Sequence, residues 1–187
     1  MGYQILFSTS PGWEGSPIVA NLLTKIDSLH LARSVWETES LENLPELEFS
    51  INTVKSLPDF ISSGVVWLFS DRFIELLRNY GVLFESFPVV LKNEEDNNYH
   101  YRLFHLLQRR PIIDIEKSKI NGYGNVDYIK LLDLAATPEL AMVRDSFLAA
   151  NVFVQDDLVK KIQQYDISGC GWLNPDKFSF HFRTKHW

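Results

Sequence analysis

Cysteine is almost absent from this chain, and the one that occurs, Cys170, cannot form an internal disulfide, so a reducing compartment is the natural setting. Gly169-Cys170-Gly171-Trp172 places no cation beside the thiol and reads as a tight turn entering an apolar strand, the setting of a packed thiol and not of a nucleophile. Basic charge is also short: 18 Lys and Arg stand against 24 Asp and Glu, giving a net charge of −6 and a pI near 5.3. That balance argues against nucleic acid as a partner, because the only basic cluster, Arg109-Arg110 with Lys117 and Lys119 beyond, reads as a solvated loop. An acidic surface speeds encounter with a basic protein instead. Long apolar runs are missing. Met1-Gly2-Tyr3-Gln4-Ile5-Leu6-Phe7 has no basic region and stops short of a signal peptide or membrane span, and Leu6 stands where myristoylation after Gly2 calls for Ser or Thr. The expectation is a cytoplasmic protein without membrane attachment.

Motifs for chemistry are equally sparse. His30, His100, His105, His181 and His186 have no ligand partner at helical spacing, and no His-Glu-x-x-His or paired-cysteine pattern exists. Gly122-Tyr123-Gly124 lacks the third glycine of a dinucleotide loop, and no Gly-Lys-Ser/Thr triplet is present to cradle phosphate. Ser62-Ser63-Gly64 only superficially suggests a nucleophile elbow. Asp59, Asp114 and Asp133 sit near strand ends, where a fold can assemble a carboxylate pair, although capping loop amides is the commoner use. No catalytic residue, metal site or cofactor is expected.

What the chain does have is a core. With 187 residues, 45% of them hydrophobic and 13% aromatic, it suits one α+β domain with a mixed or antiparallel sheet. Residues 3–8 read as a strand closed by Ser10-Pro11-Gly12, with Trp13 and Glu14 in a loop, and Ser16-Pro17 opens a short helix running to Ile26. The stretch from Leu29 to Ile51 reads as short strands at a sheet edge. Val65 to Phe69 has the continuous apolar character of a strand buried on both faces. A helix follows, with Ser70 as N-cap, Asp71 in the first turn, Gly81 as the stop, and Phe73, Leu76, Leu77 and Tyr80 in one stripe. Phe84 to Leu91 and Tyr99 to Leu107 form a hairpin, its first strand expected at an edge or bulged because Pro88 cannot donate to a ladder. Ile112 to Ile115 and Tyr128 to Leu134 read as further strands, Asn121 to Asn125 as a turn, and Thr137-Pro138-Glu139-Leu140 as a helix start.

The strand-to-helix unit has an echo. Asn151 to Val154 is a second apolar run, and after Gln155 a helix runs through Gln164. One constant offset pairs Ser70 with Gln155, Asp71 with Asp156, Phe73 with Leu158, Leu77 with Ile162, Tyr80 with Tyr165, Val82 with Ile167 and Phe87 with Trp172. Two readings stay open: any strand-to-helix unit repeats such a pattern, or two strand-helix-strand units arose by duplication and pack their helices on a shared sheet.

Three segments together resemble a known family. Leu57-Pro58-Asp59-Phe60, then Val66 to Leu91 with its Phe-Ser-Asp-Arg-Phe helix start and Phe87-Pro88-Val89 exit, then Tyr99 to Ser118 ending in Asp114-Ile115-Glu116-Lys117-Ser118, are similar to immunity protein family eleven of the bacterial polymorphic-toxin systems. That family, once catalogued as a domain of unknown function, has a close relative in family forty-three. The resemblance covers residues 47–172; residues 1–46 match poorly, and 1–187 is read as one domain. It implies a cytoplasmic antidote that binds a cognate toxin protein, with no reaction and no cofactor. Asp59, Ser70, Tyr80, Pro88 and Asp114 are implied as fold-keeping positions.

The leading expectation is therefore an immunity protein that occludes its toxin's active site. A secretion-system adaptor or chaperone, or an unrecognised small hydrolase, is the alternative. The candidate partner contacts are Glu94, Glu95 and Asp96 at the hairpin tip, with Asp156 and Asp157 at the second helix start.

Overall fold

A computed structural model describes residues 2–9, 18, 20–52, 56–63, 66–95, 97–120, 126–134, 138–148 and 151–177. In chain order the elements are β1 (Tyr3–Ser8), β2 (Ala20–Leu22), α1 (Ser28–Trp36), β3 (Leu47–Ile51), β4 (Phe60–Ser62), β5 (Trp67–Phe69), α2 (Asp71–Tyr80), β6 (Phe84–Lys92), β7 (Asn98–Leu106), β8 (Arg109–Arg110), β9 (Lys119–Ile120), β10 (Val126–Tyr128), β11 (Met142–Asp145), β12 (Val152–Gln155), α3 (Asp156–Gln164) and β13 (Cys170–Leu173). A six-stranded sheet has the order β2-β3-β6-β7-β5-β4, a five-stranded sheet the order β13-β1-β12-β11-β8, and β9 and β10 form a two-stranded ribbon. Pairing is antiparallel except for β3 with β6 and β8 with β11. The chain is an α+β domain with mixed sheets and helices packed on them.

Both sheets are covered on both faces, which is why β5 and β12 read as continuous apolar runs. One face of each lines a shared core: Phe60, Phe69 and Phe104 from the larger sheet, Leu6, Val152 and Val154 from the smaller, joined by Phe73 and Leu77 of α2 and Leu158 and Ile162 of α3. Phe69 is its hub, with ring centroids 4.4 Å from Phe73, 4.5 Å from Phe104 and 5.0 Å from Phe60. On the larger sheet's other face, Leu31 and Val35 of α1 pack in one cluster with Phe49, Leu68 and Leu103. The smaller sheet's other face packs Ile5, Val143 and Phe153 with Ile112, Ile113 and Ile129.

The two strand-helix-strand units are both present, and each builds its own sheet instead of sharing one. β7 lies antiparallel between β5 and β6. In the same way β1 lies antiparallel between β12 and β13. Each is a split β-α-β unit, and the second takes its middle strand from the opposite end of the chain. Register makes the match residue by residue: Leu68 faces Leu103 and Phe69 faces Arg102, while Phe153 faces Ile5 and Val154 faces Gln4. Tyr101-Arg102-Leu103-Phe104 therefore corresponds to Tyr3-Gln4-Ile5-Leu6, with a buried tyrosine leading each.

Backbone bonds repeat as well. Ser70 N donates to Asp59 O at 2.8 Å and Gln155 N to Ala141 O at 2.9 Å, each tying a helix N-cap to the residue ahead of the strand, β4 or β11, that pairs with the one leading into the helix. At the helix ends, Gly81 N reaches Arg78 O and Asp166 N reaches Gln163 O, both at 3.1 Å; Val82 N reaches Leu77 O at 3.1 Å and Ile167 N reaches Ile162 O at 3.2 Å. The correspondence carries through to the following strands, but with one extra residue in the second unit's turn. Phe87 lies opposite Leu103 and Leu173 opposite Ile5, so Phe87 matches Leu173, not Trp172. A one-residue slip changes the face: Phe87 packs on the outer cluster of its sheet, whereas Trp172 faces the shared core.

Elsewhere tertiary pairing overrides local pattern. The expected helix ending at Ile26 gives way to β2, paired with β3; its start at Ser16-Pro17 lies outside the described residues, as do Trp13, Glu14 and the turn at 121–125. Within the expected edge strands, Ser28–Trp36 is helical, because Asp27 Oδ1 accepts from Leu29 N at 2.9 Å and His30 N at 3.1 Å and because Leu31, Ala32 and Val35 bury one face. β6 is interior. Pro88 is tolerated there because β3 begins pairing at Val89, one residue beyond it. Of the strands expected at Ile112–Ile115 and Tyr128–Leu134, only the bridge between Ile113 and Leu131 and the end of β10 remain. Pro138–Leu140 makes a single 3-10 turn ahead of β11, and Arg109-Arg110 pairs with that strand instead of forming a loop.

Candidate interaction surface

α2 and α3 meet antiparallel. The Asp166 carbonyl, just past the end of α3, accepts from Arg72 Nη2 near the start of α2 at 2.8 Å. At the opposite end, Tyr80 sits in the field of Asp157 and Lys160; burial first, then the Asp157 charge, raises its phenol. Between the helices runs a groove of about 380 Å³, walled by Arg72, Glu75 and Leu76 with Asn79 and Tyr80 on one side and by Lys161 and Tyr165 on the other. Leu76 and Lys161, and likewise Tyr80 and Tyr165, hold equivalent places in the two units, and all four line the groove. Leu76 is buried, while Tyr165 is 61% exposed.

One edge of the groove is locked by Asp59. Its carboxylate accepts from Arg72 Nε at 3.1 Å and Nη2 at 2.6 Å, from Ser70 Oγ at 2.6 Å, and from Ser168 N at 2.8 Å and Oγ at 3.0 Å. Burial alone pushes such a carboxyl up, but the bonds from Arg72, Ser70 and Ser168 outweigh it and hold it down at about 2. Asp59 thus joins the start of α2 to the turn after α3. Tyr101 Oη donates to Pro58 O at 2.6 Å behind it.

The other conspicuous polar groups serve the framework. Asp145 is buried and accepts four backbone N–H groups, from Ile112, Ile113, Phe147 and Leu148. His105 is fully buried, with its ring nitrogens 3.2 Å from Val35 O and 2.9 Å from Glu39 O, which ties β7 to the end of α1. Arg144 lies over the Trp67 ring at 5.7 Å and is pulled down to about 10 by burial first and by Arg109 second. Asp114 caps its own turn, accepting from Lys117 N at 3.2 Å and pairing with Lys117 Nζ at 2.9 Å. Burial first, then the Asp59 charge, pushes the Cys170 thiol up to about 12, which favours the protonated thiol. Among the described residues no group of three or more His, Cys, Asp or Glu is placed to hold a metal ion, and no helix is long and apolar enough to cross a membrane.

The sequence-predicted contacts lie on different units. Glu94 and Glu95 are exposed in the β6–β7 turn, where Asn93 Oδ1 accepts from Glu95 N at 3.1 Å and Asn97 N at 2.9 Å; Asp96 lies outside the described residues. Asp156 is half-buried and accepts from Gln4 Nε2 at 3.4 Å, the counterpart of the 2.9 Å pair between Asp71 and Arg102. Asp157 is exposed, pairs with Lys160 at 3.0 Å, and stands beside the groove near Tyr80. Tyr165 and Lys161 were not anticipated as site residues; the pairing of Tyr80 with Tyr165 in the sequence echo was the available signal. No family model matches the chain, and no curated protein is significantly similar to it.

Proposed function

We propose that this chain works by binding another protein across the faces of α2 and α3. The observation that carries the reading is the tyrosine pair flanking the groove: Tyr165 is 61% exposed, so packing does not explain it, and Tyr and Arg are the residue types that dominate binding energy at protein interfaces. Within that class the particular reading is a cytoplasmic immunity protein that neutralises a cognate bacterial toxin, supported by the family resemblance and by the use of Asp59, His105 and Asp145 as framework.

The mechanism is occlusion. The charge of −6 steers a basic toxin toward the chain, with Glu94 and Glu95 extending that field at the hairpin tip. The α2–α3 surface then covers the toxin's active cleft or substrate channel. A standard interface takes about 800 Å² from each partner, so contacts extend beyond the groove onto the exposed helix faces. Co-expression with the toxin encoded by the adjacent gene tests this: the immunity reading requires restored growth together with co-purification. Co-purification without restored growth identifies an adaptor instead, and neither result leaves the binding reading without support.

A further inference from the structure

An internal repeat offers its own comparison, because positions kept for packing agree in both units and positions used for something else need not. Phe73 and Leu158, Leu77 and Ile162, and Val82 and Ile167 are buried pairs of like type. The groove departs from this rule. Buried Leu76 is matched by the cationic Lys161, so α3 brings one ammonium to the cleft where α2 brings an apolar side chain. Tyrosine, in contrast, is kept at both rims although Tyr165 is largely exposed.

The chemistry of the lining is one-sided. Lys161 brings three N–H donors, Tyr80 and Tyr165 bring hydroxyls, and Asn79 brings an amide, while Glu75 is the one carboxylate on the walls. Arg72 is already committed to Asp59 and to the Asp166 carbonyl. Lys160 is paired with Asp157, but among the described residues Lys161 has no ion-pair partner. The slot thus offers one cation without an ion-pair partner, Lys161, among hydroxyl and amide donors, with a tyrosine on each wall.

Resting on the immunity reading, we infer that the groove receives an acidic side chain, Asp or Glu, on a projecting segment of the toxin, with Lys161 as its ion-pair partner and Tyr80 and Tyr165 closing over it. A carboxylate desolvated between two rings and an ammonium is an anchor whose loss slows nothing in the approach and speeds dissociation. The acidic hairpin tip has the opposite role of steering, which acts on association.

The test is titration calorimetry and stopped-flow binding with the toxin domain encoded by the adjacent gene, using the full chain and its Lys161→Glu, Lys161→Gln and Tyr165→Ala variants. All three substitutions are at surface positions, and thermal melts verify that each remains folded. The expected result is a loss of affinity of roughly tenfold or more in each, seen mainly in the dissociation rate, as for a central interface anchor. A single Asp or Glu to Lys change in the toxin, found by scanning its carboxylates, restores binding to the Lys161→Glu variant. Folded variants that bind within about twofold of wild type, inside the scatter of ordinary surface changes, overturn the inference while leaving the immunity reading intact. Absence of binding by the unaltered chain overturns both.

Discussion

Gly81 and Asp166 end α2 and α3 in the same left-handed turn, with φ of 87° and 50° and matching backbone bonds behind each. Glycine adopts that conformation without a steric penalty, whereas an L residue pays roughly 1–2 kcal/mol. Gly81→Ala is therefore expected to lower stability by about 1 kcal/mol, and Asp166→Gly to leave it unchanged or raise it. Chemical denaturation midpoints compare the two; equal losses at both sites contradict the equivalence of the turns.

Asp59 predicts an acid limb in the stability curve. Its folded pKa is depressed from 3.8 to about 2. A depressed carboxyl stabilises the fold above the unfolded pKa, and that contribution fades as pH falls from 3.8 toward 2. The amount is about 2 kcal/mol. Unfolding free energies measured between pH 6 and pH 2 should show this decline, and Asp59→Asn should be less stable at pH 6 and fall less steeply across that limb, where Asp27 and Asp114 still titrate. An Asp59→Asn curve parallel to wild type contradicts the role given to this carboxylate.

The second unit needs β1 as its middle strand, since β12 and β13 both pair with it and not with each other. Deleting residues 1–9 should abolish cooperative unfolding, and a synthetic peptide of that sequence added in trans should restore it. A truncated chain that melts like the whole protein contradicts the split β-α-β description.

Phe69 is predicted to be the most sensitive aromatic in the shared core. Phe69→Ala removes stacking on Phe73 and Phe104 at once and should cost about 3–5 kcal/mol, while Leu77→Ala should cost about 2–5 kcal/mol. Thermal melts report both.

The parts legible from sequence were those with local causes. β5–α2 announced itself by an apolar run, a serine cap whose Oγ accepts from Phe73 N at 3.2 Å, and a glycine stop. β12–α3 followed by analogy. α1 escaped notice because exposed Leu29 and Trp36 blur its apolar period, so its buried face was not separable from short strands. The division into two sheets was hidden for a different reason: β1 finds its partners at the far end of the chain, and no local pattern encodes such pairing. The single extra residue after Ile167 then shifted Trp172 out of alignment with Phe87. The groove was illegible for the same long-range reason, being formed by two helices whose meeting depends on both sheets.

Hydrogen exchange of the chain with and without its proposed toxin partner tests the central claim most directly. Slower exchange confined mainly to α2, α3 and the turns at Gly81 and Asp166, with little change at α1, is the predicted outcome. Protection centred on α1 and β2, with α2 and α3 unaltered, contradicts the account.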